Sequence, residues 1–289
     1  MYAATSPSKA TKVLRFPANA VHGVARIGYA HNHGTTRLAG LEQRSPLRVL
    51  FPNPATGDLP LAAIVNTSGG IVGGDRLDIC LSVAEGGSAL VAAQAAEKVY
   101  RSTGADCRIE VDIEVAPGAW LESLPQETIL FEGARLRRRS RIEVAPAGRL
   151  LAGEILVFGR VASGERLTRG LVRDAWEVCR DGRLVWADAL HMEDDIAAVL
   201  AAPAAFADAR AYATAIFVAD DAASRLNAAR EFAMRDGIRC GATCIGDVLI
   251  ARWLGPDPLE VRAAFEDYWT GMRQLTAGLP AALPRLWHI

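Results

Sequence analysis

The 289-residue sequence lacks the marks of a nucleic-acid binder, a disulfide scaffold and a membrane span. Its 32 Lys+Arg stand against 33 Asp+Glu, a formal net charge of -1, so the basic excess that phosphate partners require is missing. Cysteine is scarce: Cys80, Cys107, Cys179, Cys240 and Cys244 are odd in number and scattered, in a chain too long to need staples. A reducing cytoplasm is the expected compartment. The longest charge-free apolar stretch, Ile196 to Ala207, is about 12 residues and contains Pro203, well short of the ~20 that cross a bilayer. Residues 1–12 show no basic stretch followed by an apolar one, so no secretory leader is expected, and their small, polar composition predicts a flexible tail.

Catalytic and metal signatures are equally sparse. A phosphate loop needs a lysine after its last glycines and a dinucleotide loop needs G-x-G-x-x-G opening a helix; neither occurs. No G-x-S-x-G elbow exists, and Ser68 has no identifiable base partner. His31-x-His33, on one strand face, and Cys240-x-x-x-Cys244, on one helix face, are each half of a metal site at best. Arg137-Arg138-Arg139 reads as a short solvated strand face. No period of 20 to 50 residues, low-complexity linker or charge break divides the chain. One domain over residues 1–289 is the economical reading.

What is present is apolar and alternating. Hydrophobic residues make up 51%, and from about Val13 to Val218 the pattern is mostly period two, which predicts strands. In Leu77 to Val83 the leucines and branched residues share one face; in Ile109 to Val115 the other face is acidic. Turn residues interrupt these runs at Glu85-Gly86-Gly87, Ala116-Pro117-Gly118 and Ala145-Pro146-Ala147-Gly148. Asp181-Gly182 between two strand-like runs predicts a type I′ hairpin. Two helices are expected near the C-terminal end. Ala222 to Arg235 is stopped by Gly237; Asp257-Pro258-Leu259-Glu260 opens a second, with Val261, Phe265, Tyr268, Met272 and Leu275 as its apolar stripe and Gly278 as its stop.

Three segments stand out. Asn66-Thr67-Ser68-Gly69-Gly70-Ile71-Val72-Gly73-Gly74-Asp75 allows positive-φ turns and close backbone approach, with Asp75 placed to accept amides or a ligand. Ala95-Ala96-Glu97-Lys98-Val99-Tyr100-Arg101 puts Lys98 and Tyr100 on one face, as a charged edge strand or a binding face. In Gly153 to Arg160, followed by Gly164-Glu165, the charged Glu154 and Arg160 flank a buried apolar run, either as paired ions or along a polar passage.

The glycine run followed by the Lys-Tyr-Arg segment resembles the urease accessory protein UreD family, called UreH in some lineages. Leu124-Pro125-Gln126-Glu127-Thr128-Ile129-Leu130-Phe131, Gly153-Glu154-Ile155, Gly159-Arg160, Arg252-x-Leu254-Gly255, Trp269-x-x-x-Arg273 and Pro284-Arg285-Leu286-Trp287 keep the family order. The resemblance implies a mainly β fold of layered, helically wound, β-solenoid-like sheets with two C-terminal α-helices. It also implies a non-enzymatic scaffold for nickel incorporation into urease, acting with UreF, the GTPase UreG and the urease apoprotein. GTP would then belong to UreG, with nickel in transit and no tightly bound cofactor. The matching motif positions are Gly69, Gly70, Gly73, Gly74, Asp75, Lys98, Tyr100, Arg101, Glu154, Arg160 and Glu165. On this resemblance Asp75 and Glu154 are expected to line a polar nickel route, with Arg160 balancing their charge, and an apolar patch on the C-terminal helices to meet UreF. Ser45-Pro46-Leu47 and Ser68 depart from the family, which often has glycine and proline at Ser45 and Ser68. An enzyme using Asp75 and Glu154 as an acid/base pair, and a purely structural adaptor, are the alternatives.

Overall fold

The computed structural model describes residues 20–288, so the expected tail over residues 1–12 lies outside them. The chain begins with β1 (His22–Asn32) and its antiparallel neighbour β2 (Thr35–Arg44), then a hairpin of β3 (Leu47–Leu50) and β4 (Leu61–Asn66). From there it winds between two sheets. β5 (Arg76–Val83) lies in the front sheet and β6 (Ser88–Ala93) in the back, continued by the short β7 (Glu97–Val99). β8 (Cys107–Val115) returns to the front, and β9 (Trp120–Leu124) and the short β10 (Thr128–Leu130) to the back. β11 (Arg135–Val144), β12 (Arg149–Phe158) and β13 (Arg169–Arg180) complete the front-back-front sequence. Successive front strands pair in parallel, β1-β5-β8-β11-β13, and so do the back strands β4-β6-β9-β12. Mainly β, helically wound sheets are therefore what the chain forms.

Antiparallel strands finish both sheets. β14 (Arg183–Asp195) returns from β13 through Asp181-Gly182, whose φ angles of 51° and 71° suit the expected hairpin turn. A short α1 (Ile196–Ala201) follows, then β15 (Ala211–Val218) on the back sheet. A 3-10 turn leads into α2 (Leu226–Ala233), and β16 (Arg239–Ile245) and β17 (Val248–Gly255) extend the back sheet before α3 (Pro258–Ala277). The Asp257 carboxylate caps α3 by accepting from the Leu259 amide at 2.9 Å, and Gly278 ends it in the left-handed conformation.

Two apolar layers result. One fills the space between the sheets, with Ile113, Leu136, Leu156 and Val178 from both walls. The other lies between the back sheet and α2 and α3, where Phe265, Tyr268, Trp269 and Met272 are fully buried against Trp253. Removing Phe265 alone would cost about 3–5 kcal/mol. On α3 the stripe residues Val261, Phe265, Tyr268 and Met272 face inward and belong to the core, while Leu275 of the stripe and Leu259 are exposed. Among the described residues no helix is long and apolar enough to cross a membrane.

Local corrections follow from strand geometry. Cys240 and Cys244 lie on strand β16, where side chains four apart share a sheet face. His33 follows β1 in a turn at φ 51° rather than sharing the His31 strand face. Arg138 points into the protein while Arg137 and Arg139 point out, because the strand alternates where the sequence shows a run.

Candidate functional site

The back sheet is creased along a line. β6 stops at Ala93 and the chain resumes pairing at Glu97; β9 stops at Leu124 and resumes at Thr128. β12 is unbroken, but its first half pairs with β9 and its last residues with β10, leaving Gly153 to Ile155 opposite the Pro125-Gln126-Glu127 connector. One coil earlier, β4 ends at Asn66 and pairing resumes where Ile71 bridges Val99. The crease is thus crossed by residues 67–70, 94–96, 125–127 and 153–155 of successive coils. These are the segments that the sequence singles out.

Behind the crease, between the sheets, lies a cavity of about 200 Å³. Its front-sheet wall is apolar at Leu77, Ile79, Val111 and Trp176 but also carries Arg138 and Ser140 of β11, and its other polar groups lie along the crease. Gly69, Ala95 and Lys98 are exposed and form its mouth. At the other end α3 covers the crease: a Cβ on Gly153 would come within 2.5 Å of the Phe265 ring, so only glycine lets the helix seat there. Arg262 of α3 also pairs with Glu127 at 2.6 Å, and Gln126 donates to the Leu286 carbonyl at 3.1 Å.

Two carboxylates face this cavity. Glu97 stands near the mouth, where the Asn66 amide donates to both its oxygens at 3.0 Å. Burial pushes its pKa up to about 7, against the opposing pull of that hydrogen bond and of Lys98. Glu154 lies deeper, where it accepts from the Thr128 hydroxyl at 3.1 Å and pairs with Arg138 of the front sheet. Burial raises its pKa also, and Arg138 counters the rise. The same guanidinium bonds Asp174 at 2.9 Å, giving two buried carboxylates to one arginine. Burial disfavours the Arg138 charge, but Asp174 and Glu154 outweigh it and raise its pKa.

Other expected residues sit elsewhere. Asp75 is buried, but its two oxygens accept the Val21 and Val72 amides, both at 2.9 Å, and it is not part of the cavity lining. It clamps the glycine loop to the start of the front sheet, and it forms no acid/base pair with Glu154. Arg160 does not balance either carboxylate; it bonds Glu165 at 3.0 Å and lies over the Phe131 ring. Phe131 in turn packs edge-on to Tyr100, whose hydroxyl donates to the Gly69 carbonyl at 3.1 Å. Glu165 also accepts the Glu132 amide and Arg101 donates to the Glu132 carbonyl, so these motif side chains brace the crossings from outside. Gly70, at φ 147°, lies under Tyr100 and the Lys98 carbonyl; Gly73 lies against Ser102. Gly69 and Gly74 adopt φ of 75° and 98°.

Sequence reasoning missed Glu97, Asn66, Arg138 and Asp174 as site residues. Alternation in Arg137-Arg138-Arg139 and the opposed Asp174 were the available signals. A separate buried network, in which Glu122 accepts from Trp269, Trp120 and Arg273 at 2.8, 3.2 and 3.1 Å while Arg273 also reaches Asp58 at 2.6 Å, ties α3 to the back sheet. Among the described residues no group of three or more His, Cys, Asp or Glu is arranged to hold a metal ion.

A family model described as UreD urease accessory protein matches residues 21–288. A urease accessory protein UreD of Magnetococcus marinus is 43% identical over 279 residues, 94% of this chain and 96% of the relative. Similar proteins of the same description from a Methylobacterium species and Azorhizobium caulinodans are 41% and 39% identical, over 88% and 92% of this chain and 90% and 96% of theirs.

Proposed function

The chain belongs to the UreD urease accessory protein family, and from that premise we propose that it is a cytoplasmic scaffold for urease maturation, working with UreF and the GTPase UreG, through which nickel moves toward the urease apoprotein. An accessory protein assists an enzyme and is not itself the catalyst. The observation that supports a route is the crease, where motif segments from four coils meet over a cavity with one carboxylate near its mouth and another deeper inside. Spaced oxygen donors suit brief holding of a divalent cargo, whereas a closed thiolate or imidazole set would retain it. Glu97 takes the place in this route that the family resemblance implied for Asp75. Glu154, neutralised in part by Arg138, is the inner donor. Nickel is cargo in this reading, and nucleotide chemistry belongs to UreG.

The test is co-expression with UreF, UreG and urease, reading complex formation by size-exclusion chromatography, and nickel content and activity in the purified urease. Glu154→Gln and the plugging variant Ser140→Leu should keep the complex and lower both nickel and activity about tenfold or more. Full activation by both variants would refute the route; no complex and unchanged activation without this chain would refute the scaffold.

A further inference from the structure

The exposed face of the front sheet carries a row of four arginines with a histidine at each end. Strand register aligns His22 of β1, Arg76 of β5, Arg108 of β8, Arg137 of β11, Arg173 of β13 and His191 of β14 side by side. All project outward, since the following residues Leu77, Ile109, Arg138 and Asp174 are buried. Neighbouring strands lie about 4.8 Å apart, so the row spans roughly 24 Å.

Like charges directly opposite one another across strands are destabilising, and this row contains three successive arginine-arginine neighbours. Elsewhere on this face opposite charges meet across the ladder, although Asp78 and Glu110 of the adjoining row are also like charges in register. Arg141 bonds Asp112 across the ladder at 2.6 Å, and Arg139 bonds Glu177 at 2.6 Å. Within the cationic row Arg76 is answered by Asp78 at 2.7 Å and Arg137 by Asp106 at 2.5 Å. Arg108 and Arg173 have no ion-pair partner among the described residues. They stand two strands apart, about 9.6 Å.

We propose that this row docks the acidic face of an α-helix on a protein partner. A helix lying across the strands advances about 5.4 Å per turn, close to the strand spacing, and carboxylates seven residues apart are separated by about 10.5 Å, matching the Arg108 to Arg173 interval. A polyphosphate chain or duplex fits less well, because the neighbouring rows interleave Asp78, Glu110 and Asp112 with Arg139 and Arg141 and so offer no continuous basic surface to a wide anion. The inference rests on the scaffold reading only in supposing a protein partner.

The probe is a fluorescein-labelled alanine-based helical peptide of roughly 20 residues with glutamate along one face, titrated with the full chain by anisotropy. Arg108→Glu/Arg173→Glu should weaken binding about tenfold or more, and exposed Arg183→Glu, at the β13-β14 turn, should change it less than about twofold. Circular dichroism of both variants checks that they fold. Equal losses in the two, no loss in either, equal binding of a helix-breaking peptide of the same charge, or tighter binding of tripolyphosphate or duplex DNA would each overturn the proposal.

Discussion

Replacing Glu97 with glutamine should remove a pH dependence from the stability of the whole protein. The carboxyl has an ordinary value of 4.5 and burial beside the cavity lifts it to about 7. Between those values the folded protein keeps a proton that the unfolded chain has released, so stability falls as pH rises. The contribution is complete below about pH 4.5 and is lost as pH climbs through 7. From pH 5 to pH 8 this one group removes about 2.5 kcal/mol, a large part of a typical total of 5–15 kcal/mol. Urea unfolding followed by tryptophan fluorescence reads it, as the chain has 6 tryptophans. The gain of Glu97→Gln over wild type should grow by about 2.5 kcal/mol between pH 5 and pH 8, while any fixed offset from reorienting Asn66 cancels in that difference. A difference constant within about 0.5 kcal/mol would refute the assignment of a buried, proton-holding carboxyl near the mouth.

Two further outcomes follow from close packing. Gly70→Ala places a Cβ 2.6 Å from the Lys98 carbonyl and 2.5 Å from the Tyr100 ring, and should lose more than about 2 kcal/mol. Gly69→Ala meets open space at φ 75° and should lose only about 1–2 kcal/mol, so similar thermal shifts for both would contradict the geometry. Arg273→Met strands Glu122 and Asp58 under α3 and should cost about 3–5 kcal/mol in urea unfolding, a loss under about 1 kcal/mol being incompatible with the buried network.

Much of the fold was legible because period two and turn chemistry are local signals. The β13-β14 hairpin follows from Asp181-Gly182, and α3 from Asp257, Pro258 and Gly278. The β16 strand was not, since cysteines four apart suit either a helix or a strand face. Nor did the winding register as a sequence repeat: stacked positions share a face and a register but not an identity, as Ile109, Arg138 and Asp174 do. The candidate site was half legible. Its segments were found as unusual runs, but which side chain enters the cavity depends on where a strand breaks. Glu97 and Glu154 enter it; Asp75 and Arg160 turn to backbone and surface partners.

The winding also lets assembly proceed coil by coil. Each front strand leans on the coil before it, and stacked partners such as Arg108 and Arg137 are separated by roughly thirty residues of chain. Such a protein can grow coil upon coil from an early nucleus, each new turn paying one loop closure for one new pair of ladders. A length change at a corner between coils would leave that progression intact. A residue lost inside β11 would reverse its faces, turning Arg137 inward and Arg138 to water, and would halt assembly midway.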